Sequence, residues 1–365
     1  MWLRQLWLTD FRSYPTADVE LPEGLTAVLG SNGQGKSNLL EAIGYLIMLR
    51  SFRGAAGDTM VRVGADRAFV RGELSTLERP HLIEVELSRT GRNRVLVDRQ
   101  RLVRHRDLVT IARCTVFAPD DLELVKGGPA LRRGFLDDLL VLLHPRHDVV
   151  RSDWERSLKQ RNALLKQVHG RPDDSALVTL DVWDQKLATA GEELVRIRRE
   201  LTDRIAPAVV EAYRDVAGEE VELGLRYVSP WRRPEDGDRS LADVLAASRS
   251  EELRRGLSLY GPHRDELQID LRGLPARTHA SQGEQRSLAL ALRLASHRVL
   301  TEIDGSPPLL LLDDVFSELD ADRSAALLRS LPVGQTLLSA AVDLPDGVVA
   351  DLVLDVGSGS VRPRQ

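Results

Sequence analysis

The sequence predicts an α/β nucleotide-binding fold in two halves with an α-helical insertion between them. Three observations predict it. Residues 30 to 37 read Gly-Ser-Asn-Gly-Gln-Gly-Lys-Ser, the full pattern of a phosphate-cradling loop. Leu309-Leu310-Leu311-Leu312 runs into Asp313-Asp314, as a buried central strand does where it ends at a phosphate site. Between these two motifs lies a long stretch of helical patterning. At 365 residues the chain exceeds the roughly 100–200 residues of a usual domain, so two lobes are expected.

Taken in order, Leu3, Leu6 and Leu8 begin an edge strand that leads to Asp10-Phe11-Arg12-Ser13-Tyr14. Leu25-Thr26-Ala27-Val28-Leu29 is apolar and partly β-branched, a strand. Ser37-Asn38-Leu39-Leu40-Glu41-Ala42-Ile43 has apolar residues at helical spacing, and this helix is expected to reach about Leu49. The loop between them is therefore built for an anion. Gly30, Gly33 and Gly35 let several backbone N–H groups converge, and the positive end of the helix dipole points the same way. In this setting Ser31, Asn32 and Gln34 join the glycines in the cradle of ATP, Lys36 reaches the β- and γ-phosphates, and Ser37 holds Mg²⁺.

Residues 68 to 97 look antiparallel. His81 to Leu87 alternates, Arg89-Thr90-Gly91 turns, and Arg94-Val95-Leu96-Val97 returns, a hairpin pattern. A strand at Cys114 to Phe117 is expected to close this part. Arg89, Arg92, Arg94, Arg99, Arg101, Arg104 and Arg106 face a single acid, Asp98, over this stretch. Such a cluster neutralises DNA phosphates or is an ordinary solvated face.

Pro129, after Lys126-Gly127-Gly128, is placed to open a helix. One helix is expected over about 130–143 and a second over about 147–168, led by Trp154, Leu158, Leu165 and Val168. Gly170, Pro172 and Asp173 reverse the chain. The third helix, 174–206, has the clearest repeat. Leu180, Trp183, Leu187, Ala190, Leu194, Ile197 and Leu201 recur alternately three and four apart, a heptad seam. At 1.5 Å per residue it would be about 50 Å long. The two long helices should pack as a short antiparallel coiled-coil arm; a compact helical bundle is the alternative. Beyond it, Val221 to Val228 and Leu257 to Leu271 read as β, a polar segment from Trp231 to Arg239 loops out, and the remainder is α/β. The arm thus splits one nucleotide-binding domain, giving segments 1–126, 127–218 and 219–365.

In the last segment Asp313 is placed to hold Mg²⁺ and Asp314 to orient and deprotonate an attacking water. Ser281-Gln282-Gly283-Glu284-Gln285 precedes the helical run Arg286 to Leu292. A serine hydroxyl, a glycine that allows close approach and a helix N-terminus suit an anion, although an isolated string of this kind also serves as a helix cap. The string resembles the signature motif of the ABC-type ATPases, and Ser317-Glu318-Leu319-Asp320 resembles their D-loop. That resemblance assigns Ser281, Gln282, Gly283 and Glu284 to the γ-phosphate held by an opposite subunit. One chain supplies a single loop and a single signature, so an ATP-dependent homodimer is expected.

The interval from Lys36 to Ser281 is longer than in transporter ATPases and far shorter than in SMC or Rad50 proteins. Several strings make the chain resemble the RecF family: Leu6-Trp7-Leu8-Thr9-Asp10-Phe11-Arg12-Ser13-Tyr14, Arg50-Ser51-Phe52-Arg53-Gly54, Phe117-Ala118-Pro119-Asp120-Asp121-Leu122, Gly261-Pro262-His263-Arg264-Asp265, and the signature and Asp313 to Asp320 strings. The resemblance implies an ABC-type (SMC/Rad50-like) ATPase head. It further implies ATP-dependent binding of double- and single-stranded DNA at gaps and junctions, loading of RecA with RecR and RecO, support of the SOS response and a cytoplasmic, nucleoid-associated setting. Two departures stand out. No Q-loop glutamine follows the first helix, with the Pro119-Asp120 turn as its equivalent, and no switch histidine follows Thr336 to Ser339. Slow hydrolysis is the expectation. His263 and Arg264 receive no chemical step.

Composition bounds the rest. The net charge of -5 shows no global basic excess, so DNA contact must come from a local patch. Cys114 is the one cysteine, which excludes an internal disulfide and fits a reducing compartment. No apolar run approaches the ~18–20 residues of a membrane helix, and no apolar leader opens the chain.

Overall fold

The computed structural model describes residues 1–76, 78–168, 172–232, 239–341, 344 and 348–364. Two compact units emerge. Met1–Leu122, Ala208–Glu220 and Ser281–Gln365 form the first; Glu123–Pro207 and Val221–Ala280 form the second. This partition differs from the three sequence segments in placing 221–280 with the helices.

The first unit is built on two six-stranded sheets. One is antiparallel, in the order Tyr14–Glu20, Trp2–Phe11, Arg67–Ser75, Pro80–Ser88, Arg94–Val97, Gln100–Arg101. The other runs Ser360–Pro363, Leu352–Gly357, Leu25–Leu29, Thr336–Ala340, Leu309–Leu312, Cys114–Phe117, with all neighbours parallel except the first pair. Two sequence expectations are corrected here. Trp2–Phe11 is paired on both sides, and Tyr14–Glu20 takes the edge. Cys114–Phe117 leaves the antiparallel part and pairs with Leu309–Leu312. Both errors concern partners, which alternation within a strand does not specify.

The helix Lys36–Met48 is buried nearly all round because both sheets contribute to one core with it. Leu39, Leu40, Ile43 and Leu46 have no exposure and share that cluster with Leu3, Leu6, Val70 and Ile83 of the antiparallel sheet. From the parallel sheet it takes Val28, Leu309, Leu311 and Leu337. A helix apolar on every face belongs in such a middle layer.

In the second unit, helices Pro129–Leu143, His147–Val168 and Leu241–Arg255 accompany most of the helix Asp174–Ala217, together with the strands Leu223–Val228, Glu266–Leu271 and Leu274–Pro275. Pro129 does open its helix. The expected reversal at Gly170 lies outside the described residues, while Pro172 and Asp173 precede the long helix. Its seam is confirmed at Leu180, Leu187, Leu194, Ile197 and Leu201, each at most 3% exposed.

Three differences from the sequence reading have physical causes. The long helix continues through Pro207 to Ala217. An internal proline costs about 3 kcal/mol or more, and here Val209, Ala212, Tyr213 and Val216, spaced three and four apart, are fully buried beyond it. Leu241–Arg255, to which the sequence reading gave no element, is a helix started by a capping box between Ser240 and Asp243. Finally, the strand expected over Leu257 to Leu271 begins only at Glu266, since Gly261 at φ 127 leads into a short 3₁₀ turn at Pro262–Arg264. No helix among the described residues is long and apolar enough to cross a membrane.

Candidate nucleotide site

Parallel pairing decides where the site lies. Leu25–Leu29 and Leu309–Leu312 flank Thr336–Ala340, and all three end at the same edge of the sheet, so residues 30–37 and Asp313-Asp314 emerge side by side. Ligands bind at this carboxyl edge in open α/β sheets.

The loop has the conformation its glycines permit. Gly30, Gly33 and Gly35 have φ of 153°, 81° and 117°. At Gly30 an added Cβ would collide with the Val356 carbonyl, and at Gly35 it would lie 2.8 Å from Ser13 Oγ. Tyr14 clamps the loop by donating its hydroxyl to the Gly35 carbonyl at 2.9 Å. Gln34 accepts from the Ser358 N–H at 2.8 Å. Lys36 Nζ folds over the loop, donating to the Gly30 carbonyl at 2.6 Å and the Ser31 carbonyl at 3.2 Å, with Asn32 Oδ1 at 3.4 Å.

Asp313 is 4% exposed. Burial raises its carboxyl above the usual range, opposed by hydrogen bonds from Ser339 and Ser37 and by the Arg53 charge. Ser37 and Asp313 thus meet, as the sequence required. Asp314 occupies a left-handed backbone conformation, φ 50° and ψ 31°. It lines a cleft with Ala118, Asp121, Arg286, Leu290 and Leu319.

Ser281 caps the helix Gln282–Asp304. Its hydroxyl accepts from the Glu284 N–H at 3.3 Å, and Glu284 Oε2 accepts from the Ser281 N–H at 2.7 Å. The box satisfies the Ser281 and Glu284 N–H groups itself, so an anion at this helix start would meet the N–H groups between them, those of Gln282 and Gly283. The Arg323 guanidinium lies directly over Gly283, where any Cβ would collide with it. Pro119–Leu122, the turn expected to stand for the Q-loop, is tied to this helix: Asp121 Oδ1 accepts from Arg293 Nε at 3.0 Å and Nη2 at 2.6 Å.

Two contributors escaped the sequence reading. Glu41, with no exposure, accepts from Arg12 Nε at 2.8 Å and Nη2 at 2.9 Å, takes the Ser51 hydroxyl, and has Arg53 at 3.7 Å. The signal was an acid on an otherwise apolar helix. Ser339 bridges the two aspartates, and nothing in its strand's apolar pattern marks it.

Residues 2–336 match the family model described as the RecF/RecN/SMC N terminal domain. A "DNA replication and repair protein RecF" of Renibacterium salmoninarum is 42% identical, with 96% of each chain covered, and one of Streptomyces avermitilis is 45% identical, covering 99% of this chain and 100% of that one. The chain belongs to the RecF family. A solved structure of the recombination mediator protein RecF-ATP in the RecFOR pathway superposes with a TM-score of 0.89 at 28% identity, covering 100% of this chain and 98% of that one. The ABC-type, SMC-like head expected from the motifs is therefore the fold of this RecF-family chain.

Two sequence candidates of this RecF-family chain lie elsewhere. His263 stacks on Trp154 with centroids 5.8 Å apart, and its Nε2 faces the Ser258 carbonyl at 3.2 Å. Asp265 pairs with neither His263 nor Arg264; its carboxylate accepts from Tyr227 at 2.8 Å, Ser229 at 2.7 Å and Trp231 at 3.0 Å. Arg92, Arg94, Arg99 and Arg101 are exposed on the hairpin strands and turns. Asp98 is turned away from them, accepting from the Leu82 N–H at 2.9 Å and lying 3.0 Å from Arg79 and 2.9 Å from His81.

Proposed function

We propose that this chain is an ATP-dependent DNA-binding recombination mediator that closes as a homodimer around ATP. The observation that carries the reading is the shared sheet edge, where the Gly30 to Ser37 loop and the Asp313-Asp314 pair converge in a chain of RecF family. The likeness to the RecF-ATP structure supports ATP as the nucleotide.

In this reading the backbone N–H groups of residues 30–35 bind the β-phosphate, and Lys36 exchanges its carbonyl partners for phosphate oxygens. Ser37 and Asp313 suit Mg²⁺, a hard cation that takes one or two protein oxygens and completes its shell with phosphates and water. Bound there, Mg²⁺ would neutralise phosphate charge. Asp314 orients a water and accepts its proton. Ser281 to Glu284 grip the γ-phosphate bound by the partner, whose motif does the same in return. Hydrolysis removes that shared anion and resets the dimer, slowly, since no histidine follows the Thr336–Ala340 strand.

Arg92, Arg94, Arg99 and Arg101 form the DNA contact, binding phosphates without reading sequence. Action at gaps and junctions, loading of RecA with RecR and RecO, and support of the SOS response follow from the family reading. In gel filtration with ATP and duplex DNA, the Asp314→Asn variant should form an enlarged, DNA-bound species. A monomer indifferent to nucleotide and DNA would contradict the proposal.

A further inference from the structure

The Thr336–Ala340 strand lies between the phosphate-loop strand and the strand carrying the two aspartates, so its carboxyl end lies at the edge where the aspartates emerge. Ser339 is the polar side chain there. It is 1% exposed, and Ala340 after it carries no polar group. The Ser339 hydroxyl donates to Asp313 Oδ1 at 2.9 Å and accepts from the Asp314 N–H at 2.9 Å, so one oxygen joins consecutive acids. On the other side the Asp313 N–H donates to the Phe117 carbonyl at 2.8 Å. The acid pair is therefore pinned from both neighbouring strands.

Asp314 gives this pinning its consequence. A left-handed conformation is unfavourable for a residue with a Cβ, by roughly 1–2 kcal/mol, and persists only where the surroundings hold it. The turn at Asp314 brings its side chain to the wall of the cleft. The Ser339 hydroxyl is the acceptor for the N–H of that turn, and with it gone the amide would be left without its partner next to the carboxylate that must be aimed.

Resting on the ATPase reading above, we propose that Ser339 is a positioning residue for hydrolysis: its hydroxyl fixes the Asp314 turn and the Asp313 carboxylate together, and so sets the geometry of the base rather than the affinity for nucleotide. Ser339 touches neither nucleotide nor water in this account and acts through the two acids.

The test compares ATP turnover of the full chain with duplex DNA present for wild type, Ser339→Ala, Ser339→Thr and Asp314→Asn. Ser339→Ala should lower kcat by about 10- to 100-fold, with KM changed far less than kcat and the thermal midpoint lowered by only a few degrees. Ser339→Thr keeps the hydroxyl and should recover most of kcat. A wild-type kcat in Ser339→Ala, or a Thr variant no better than the Ala variant, overturns the inference. Asp314→Asn separates the two levels. If it abolishes turnover while Ser339→Ala hydrolyses normally, Ser339 alone is misassigned; if Asp314→Asn turns over normally, Asp314 is not the base and the inference falls with it, whereas a wild type that turns over no ATP overturns the ATPase reading itself.

Discussion

Lys36 holds its ammonium against the carbonyls of its own loop, a contact that keeps the loop folded and is given up only for a stronger anion. A phosphate oxygen carries full negative charge where a carbonyl offers only a dipole, so the ammonium gains by the exchange. Lys36→Ala should therefore abolish nucleotide binding in a fluorescent-ATP titration while leaving the secondary structure unchanged; retained affinity would remove Lys36 from the cradle. Two buried histidines make a separate prediction about pH. Burial lowers both His263 and His297 from the usual 6.5 to about 4. Because the unfolded chain binds these protons more readily, their contribution to stability is whole above about pH 6.5 and is lost as pH falls towards 4. Linkage puts this at on the order of 3 kcal/mol for each. Denaturant unfolding at pH 7 and pH 5 should show the loss, reduced in a His297→Phe variant; equal losses in both proteins would refute it. At this scale the phosphate loop and both aspartates were legible, because their chemistry demands fixed residue types in fixed order. Ser339 and Glu41 were not, since a lone serine in an apolar strand and a lone acid on an apolar helix gain meaning only from the neighbours the fold brings to them.

The helices of the second unit show how a polar residue can hide a core. His147–Val168 has a weak apolar seam because Arg161 occupies one of its inward positions, fully buried, donating to Asp184 at 2.5 Å, Glu252 at 2.7 Å and Ser258 at 2.8 Å. The long helix reads clearly by contrast, its seam being aliphatic. Leu241–Arg255 went unseen for a related reason: it buries few apolar residues and contributes Glu252 to the same charge cluster. Removing one member of a buried ion cluster leaves its partners uncompensated, which costs about 3–5 kcal/mol. Arg161→Ala should destabilise the chain by that amount in denaturant unfolding, and a loss under 1 kcal/mol would show the cluster to be incidental. On the hairpin, positive φ at both Asp98 and Arg99 makes a tight turn that presents Arg99 at its tip. Each phosphate contact adds about 0.9 to the slope of log affinity against log salt for duplex DNA. Replacing Arg92, Arg94 and Arg101 by alanine should flatten that slope; an unchanged slope would make the patch a solvated face.

Across the whole molecule, the two halves of the head lie far apart in sequence and meet in one parallel sheet, with strands from residues 25, 114, 309 and 336 onwards side by side. Motif order makes the pairing of the loop and aspartate strands legible, whereas Cys114–Phe117 carries no motif and its alternation names no partner, so its place beside Leu309–Leu312 is not. The half-site logic also belongs to this scale. In the proposed function a chain with one loop and one signature completes its site with a second copy, so the central claim concerns assembly. Its most direct measurement is sedimentation of wild type and Ser281→Arg with and without ATP and Mg²⁺. The account predicts that wild type doubles in mass with nucleotide, and that Ser281→Arg binds ATP yet stays monomeric because a bulky cation occupies the surface that must meet the partner's triphosphate. A Ser281→Arg protein that dimerises on ATP as wild type does would contradict it.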